Sequence, residues 1–153
     1  MCQPVFDFVI HKHFQADNVH WDLMLAEIED EDKGAGRDNA GIGDTDGASL
    51  ATWKFDTPPI NENFCPSLIG KRIFNHRKVY LEYEGDISNN RGRCEIFDKG
   101  TYYLIERKED YRKIFISGRN IKGVFILAQL SDNSQTDSNS DYWIMTLLNN
   151  YQE

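Results

Sequence analysis

The sequence predicts a mainly β protein, a compact antiparallel β-barrel with few short flanking helices. Three observations carry this. Short apolar and aromatic runs recur about every ten residues. Most of them alternate with a period of two rather than 3.6. Glycine, proline, asparagine or aspartate punctuates the gaps between them. A chain of 153 residues with 40% hydrophobic residues is read as a single domain, 1–153, able to bury a core.

Taken in order, "FDFVIHKH" (6–13) reads as a strand. "VHWDLMLAEIE" (19–29) alternates as well, with His20, Asp22 and Met24 on one face and Trp21, Leu23 and Leu25 on the other. A helix is the competing reading there, because Leu, Met, Ala and Glu are good helix formers. Residues 30–49 are rich in glycine and aspartate with little to bury, and are expected to form a flexible acidic insert. The insert contains "DTDG", a fragment of a calcium loop without the carboxylate that would complete it. "LATWKF" (50–55) reads as a strand and "DTPPINENFCPS" (56–67) as an irregular connection. "KVYLEYEG" (78–85) reads as a strand. "RCEIFDKGTYYLIERK" (93–108) reads as a hairpin turning at Asp98-Lys99-Gly100. "YRKIFISGRNIKGVFILAQL" (111–130) gives two strands joined around Gly118 to Gly123. A polar loop at 131–141 and a closing strand, "YWIMTLL" (142–148), complete the chain. Trp21, Trp53, Trp143, Phe97 and Phe125 are expected in the core, and Cys94 as a buried thiol.

The charge restricts the function classes. The formal net charge is −8, which argues against a protein that coats nucleic acid non-specifically. Residues 27–50 carry eight acidic side chains against Lys33 and Arg37, so most of that charge is confined to one segment. A local basic surface is compatible with the rest, and "KRIFNHRK" (71–78) is its most basic run. Three widely spaced cysteines, Cys2, Cys65 and Cys94, form neither a disulfide framework nor a zinc ribbon, which suits a reducing cytoplasm. No secretory leader and no membrane helix are expected.

Chemistry concentrates in "HKHFQADNVHWD" (11–22), which holds three of the four histidines. On a strand, His20 and Asp22 share a face about 7 Å apart at Cα, within reach of one divalent ion. His13 can reach in from the end of the preceding strand. Two imidazoles and a carboxylate suit manganese, zinc or iron, and three protein ligands leave positions open for water or substrate. Such a pair on a strand is also found simply facing water, so spacing alone leaves both readings open. His11 is read as facing the other side of the strand from His13, on the surface.

"FVIHKHFQADNVHWDLML" resembles the opening motif of the 3′-phosphoesterase domain of bacterial and archaeal DNA ligase D, an end-healing module of DNA repair by end joining that also occurs free-standing. Further motifs follow in family order: "HRKVYLEYEG" (76–85), "CEIFDKGTY" (94–102), "ISGRNIKGVFILAQL" (116–130) and "YWIMTL". The resemblance spans nearly the whole chain apart from the acidic insert and the second polar loop. It implies a β-barrel hydrolase binding manganese, or another divalent metal such as zinc, through His13, His20 and Asp22. It implies that His76 and Tyr80 hold the phosphate as catalytic residues, both on one face of a strand. The implied activity is removal of a 3′-terminal ribonucleoside or 3′-phosphate from DNA or RNA, and the implied partners are nucleic-acid 3′ ends and a separate DNA ligase. The pattern departs in several places, among them a His13-to-His20 turn one residue longer and a shorter segment after Gly85, and most consequentially at one position. The family's phosphate-clamping Arg, two residues after the Asp, is Met24 here. Loss of such a contact costs about 10²–10³ in rate. Arg72, Arg77, Arg91 and Arg93 are the candidates to supply the missing charge, and Lys54 lies near the position of a family lysine. The alternative is a catalytically degenerate member of the fold, acting as a metal- or nucleic-acid-binding module.

Overall fold

A computed structural model describes residues 4–27, 49–131 and 141–149. Most of the acidic insert and of the second polar loop lies outside the described residues. Those described form nine strands: β1 (Phe6–Gln15), β2 (Asn18–Ala26), β3 (Leu50–Phe55), β4 (Ser67–His76), β5 (Gly85–Asp86), β6 (Arg93–Lys108), β7 (Tyr111–Ser117), β8 (Lys122–Gln129) and β9 (Tyr142–Asn149). Short 3-10 turns occupy Asn61–Asn63 and Lys78–Leu81. The strands form one antiparallel sheet in the order β1-β2-β3-β4-β9-β8-β7-β6-β5. Because β1 also pairs with β6, the sheet closes nearly into a ring. Closure of this kind leaves few open edges. Among the described residues, no helix is long and apolar enough to cross a membrane.

The period-two alternation sorts side chains to the two faces of this ring. Inside lie Phe8 and Ile10 of β1, Trp21, Leu23 and Leu25 of β2, and Trp53 and Phe55 of β3. Ile114, Ile116, Phe125, Leu127, Trp143 and Met145 meet them from β7, β8 and β9. The expected core aromatics Trp21, Trp53, Trp143 and Phe125 are buried there, and Phe97 packs against them. The residues between them, His11, His13, His20, Asp22 and Met24, are thereby turned to the outer face of β1 and β2. That face is not bare. A second, smaller core of Val9, Met24 and Leu50 packs there beneath Tyr80 and Leu81.

Three sequence expectations are corrected. Residues 78–85 are not one strand, and only Gly85 enters one, the two-residue β5. Val79 points outward while the adjacent Tyr80 and Leu81 both pack down on the second core, which a strand cannot do with successive residues. Residues 93–108 are not a hairpin but one strand, pairing with β1 through its first part and with β7 through its second. The turn chemistry of Asp98-Lys99-Gly100 is used differently. Asp98 is fully buried, and its carboxylate accepts hydrogen bonds from the backbone N–H groups of Lys99, Arg119, Asn120 and Ile121, organising the neighbouring β7–β8 turn. A side chain at Gly100 would meet the Ser117 carbonyl at 2.1 Å, so the glycine permits close strand pairing instead. Finally, β4 was not expected. It lacks alternating apolar residues because only Gly70 is buried along it, under the Phe55 ring.

Candidate metal and phosphate site

The site is built on the outer face of β1 and β2 and roofed by the segment that leads from β4 to β6. Antiparallel register sets His13 opposite His20 and His11 opposite Asp22, so four polar side chains form a quadrilateral on one face. The roof follows the same logic. β4 ends at His76, the 3-10 turn presents Tyr80, and the chain then passes Arg91 before entering β6. Gly92 makes this passage possible. Its φ is +93°, and a Cβ there would lie 1.9 Å from the Phe14 carbonyl oxygen. The cleft between floor and roof has a volume of about 460 Å³.

His13, His20 and Asp22 each offer a donor atom within 4.8 Å of the other two. His13 Nδ1 lies 3.1 Å from His20 Nε2 and 3.6 Å from Asp22 Oδ2, and His20 Nε2 lies 3.3 Å from Asp22 Oδ1. The far nitrogen of His13, Nε2, donates to the Arg91 carbonyl at 2.8 Å. That bond places the neutral ring's lone pair on Nδ1, aimed at the cluster, as a backbone carbonyl does for a metal-ligating histidine. Among the described residues, Asp22 Oδ1 is buried without a well-formed hydrogen bond, although an imidazole nitrogen is close. A cation at the point where these atoms converge would satisfy that oxygen. The donor set, two imidazoles and one carboxylate, therefore fits a divalent metal such as manganese or zinc and does not select between them.

The electrostatics follow from this packing. Burial alone would raise the Asp22 carboxyl, but the imidazoles of His13 and His20 beside it outweigh burial and hold Asp22 at about 2. The same contact with Asp22 raises His13. Burial lowers His76, whose Nδ1 lies 3.1 Å from both the Phe74 carbonyl and Thr52 Oγ1. Thr52 spends its own proton on the Leu50 carbonyl at 2.9 Å, so it accepts from His76. Both contacts call for a proton on Nδ1, which leaves Nε2 of the neutral ring as the nitrogen available to substrate.

The sequence-derived residues separate into two groups. His13, His20, Asp22, His76 and Tyr80 all line this one cleft, as do Arg77, Arg91 and Lys54. His76 and Tyr80 meet with ring centroids 5.7 Å apart, although Tyr80 sits on the 3-10 turn and not on a shared strand. Arg72 and Arg93 lie elsewhere. The Arg72 guanidinium stacks on Trp53, 4.7 Å from the ring centroid. Arg93 pairs with Glu95 and stacks on Phe14 beside a separate hollow. Met24, at the position of the family Arg, is 1% exposed and forms part of the second core under Tyr80.

His11 is a correction. It is not a surface residue facing away from His13; it is 2% exposed and lines the same cleft. Positions 11 and 13 are two apart and share a strand face, a signal present in the sequence. Its ring makes a hydrogen bond to the Tyr80 backbone while Nε2 is buried without a hydrogen-bond partner among the described residues. Burial holds His11 at about 4, below its ordinary 6.5. A histidine kept neutral in the fold but free to take a proton when unfolded destabilises the fold as pH falls from 6.5 toward 4. With divalent metal chelated, His11→Gln should therefore flatten the acid limb of the urea-stability profile by about 3 kcal/mol across that range. A profile that superimposes on the parent's would refute a buried, neutral His11.

No protein-family model matches the sequence, and no curated protein proves significantly similar to it.

Proposed function

We propose that this chain is a divalent-metal-dependent phosphoesterase that trims the 3′ ends of DNA or RNA, removing a terminal ribonucleoside or phosphate so that a separate DNA ligase can seal the end. The observation that carries the reading is the meeting of two sets of side chains, distant in sequence, across one cleft. His13, His20 and Asp22 lie on its floor, with His76 and Tyr80 on its roof. The motif resemblance joins the same five residues independently of their positions in space.

A divalent cation held by His13, His20 and Asp22 would supply Lewis-acid charge to a phosphoryl group. The chain's own groups do the rest. Arg91 orients His13 through its carbonyl, and the tautomer of His76 is fixed by Phe74 and Thr52. His76 Nε2 is thus ready to take a proton from an attacking water or, once protonated beside a phosphate, to deliver one to the leaving oxygen. The Tyr80 hydroxyl can donate to a non-bridging oxygen. Lys54, Arg77 and Arg91 line the cleft as cations for the nucleic-acid backbone. Their presence offsets, from other directions, the charge missing at Met24.

The burial of Met24 in an apolar platform favours a second reading, a degenerate member that binds metal or nucleic acid without turnover. One assay separates the two: manganese-dependent trimming of a DNA primer ending in a single ribonucleotide. The parent should trim it. His20→Ala should abolish both manganese binding and trimming, and His76→Ala should keep the metal but lose about 100-fold or more in rate. Manganese binding by the parent without trimming would establish the second reading, and no manganese binding at all would remove both.

A further inference from the structure

We propose that Phe74 is a stacking platform for the 3′-terminal nucleobase, a role that rests on the phosphoesterase reading of the adjoining cleft. Phe74 precedes His76 by two residues on β4, lines the same cleft, and yet is 69% exposed. A single exposed aromatic on a protein surface is ordinary. The placement of this one is not. Its ring lies parallel to the His76 imidazole, with an interplanar angle of 7° and centroids 4.8 Å apart. The Phe74 carbonyl also accepts a hydrogen bond from His76 Nδ1 at 3.1 Å, so the backbone, which any residue at this position keeps, holds the imidazole against the ring. One face of the phenyl ring is covered by the imidazole, and the exposure of the side chain leaves the other to solvent.

The surroundings select what lands there. Lys54, Arg77 and Arg91 line the cleft that Phe74 borders. A flat π face at the border of a cleft lined by cationic residues suits a planar ring joined to a phosphodiester, the composition of a nucleotide. A base laid on Phe74 would continue the His76–Phe74 stack and direct its sugar and phosphate toward His76. Every base has a π face, so the platform recognises that a base is present rather than which base it is. An apolar protein partner would gain nothing from the three cations.

The test uses the full chain in manganese and two oligonucleotides of one sequence, with a phosphorothioate at the terminal linkage to slow cleavage. One ends in 2-aminopurine, whose fluorescence is quenched on stacking; the other ends in an abasic sugar. The parent should quench the fluorophore and bind the base-bearing end about tenfold more tightly, within the range of one aromatic–base stack. Phe74→Ala and Phe74→Leu should both lose the quench and the tenfold preference, while Phe74→Trp keeps them. Affinity for the abasic end should be the same in all four proteins, which also reports that each is folded. Unchanged quenching and preference in Phe74→Ala would overturn the platform and leave the phosphoesterase reading standing. Failure of the parent to bind either end would overturn both.

Discussion

Replacing Asp22 by alanine is expected to lower manganese affinity by more than about 100-fold, because loss of even an outer partner of a metal ligand costs about 10–100-fold. Asp22 is the only anion of the three donors, and its carboxylate sits between two imidazoles. Without it, two neutral rings would hold a dication with no compensating charge. Isothermal titration with manganese reads the affinity directly. Thermal unfolding gives a second reading: saturation at 100 times the dissociation constant stabilises a binding-competent fold by about 2.7 kcal/mol, and Asp22→Ala should show no such gain. The metal-free protein responds as well. The Asp22 carboxyl is held at about 2 against an ordinary 3.8. A depressed carboxylate contributes stability above its unfolded value and loses it as pH falls through its folded value. At neutral pH that contribution is about 2 kcal/mol, and it should vanish from the difference between parent and variant below pH 2. Asp22→Asn keeps the shape and drops the charge, so it should share the loss of metal. An Asn variant that binds manganese like the parent would show that the three residues are a polar cluster and not a metal site.

The fold class and most strands were legible because the governing signals are local. Alternation along β1, β2, β3, β7, β8 and β9 reports which face is buried, and those strands border a single interior. The missed elements depend on contacts far along the chain. β4 carries no alternating pattern because Phe55, from β3, lies over its one buried position. The run at 78–81 turns because Tyr80 and Leu81 have a platform to cover, Val9, Met24 and Leu50, which no local spacing reveals. The Asp98 carboxylate serves a turn some twenty residues away. The site shows the same division. Of the floor residues, His13, His20 and Asp22 are close enough in sequence for spacing to group them without settling their role, while His11 beside them was misread. The roof residues His76 and Tyr80 came from the motif resemblance, and their meeting depends on a turn read as a strand. The supports of the site, the carbonyls of Arg91 and Phe74 and the Thr52 hydroxyl, carry no sequence signature, since their positions are set only by the folded chain.

Arg112→Met is expected to destabilise the protein by about 3–5 kcal/mol and to leave manganese affinity unchanged. Arg112, on β7, is 3% exposed, and its guanidinium grips Glu27 through Nε and Nη2 at 2.6 and 3.1 Å. Composition alone groups Glu27 with the acidic segment; the fold draws it away to where β2 ends. The ion pair lies against the aromatic interior, with the Arg112 guanidinium 5.5 Å from the Trp53 ring centroid and 5.7 Å from that of Trp143. Arg72 stacks on the same Trp53, which is why it braces the core instead of serving the cleft. Removal of Arg112 alone takes the closest ion-pair partner from the Glu27 carboxylate, 11% exposed, and leaves it paired with the more exposed Arg107. The double variant Glu27→Leu with Arg112→Met removes both charges and should recover most of the loss, because a buried pair is seldom more stable than a well-packed apolar replacement. Urea unfolding of the parent, both single variants and the double variant, in chelator, measures the coupling. A single-variant cost below about 1 kcal/mol would mean that the pair behaves like an exposed surface bridge. Should manganese affinity fall together with stability, the brace at this end of the sheet and the cleft on its outer face would be one cooperative unit. Unchanged affinity would instead make metal binding a property of the β1–β2 face and its roof alone.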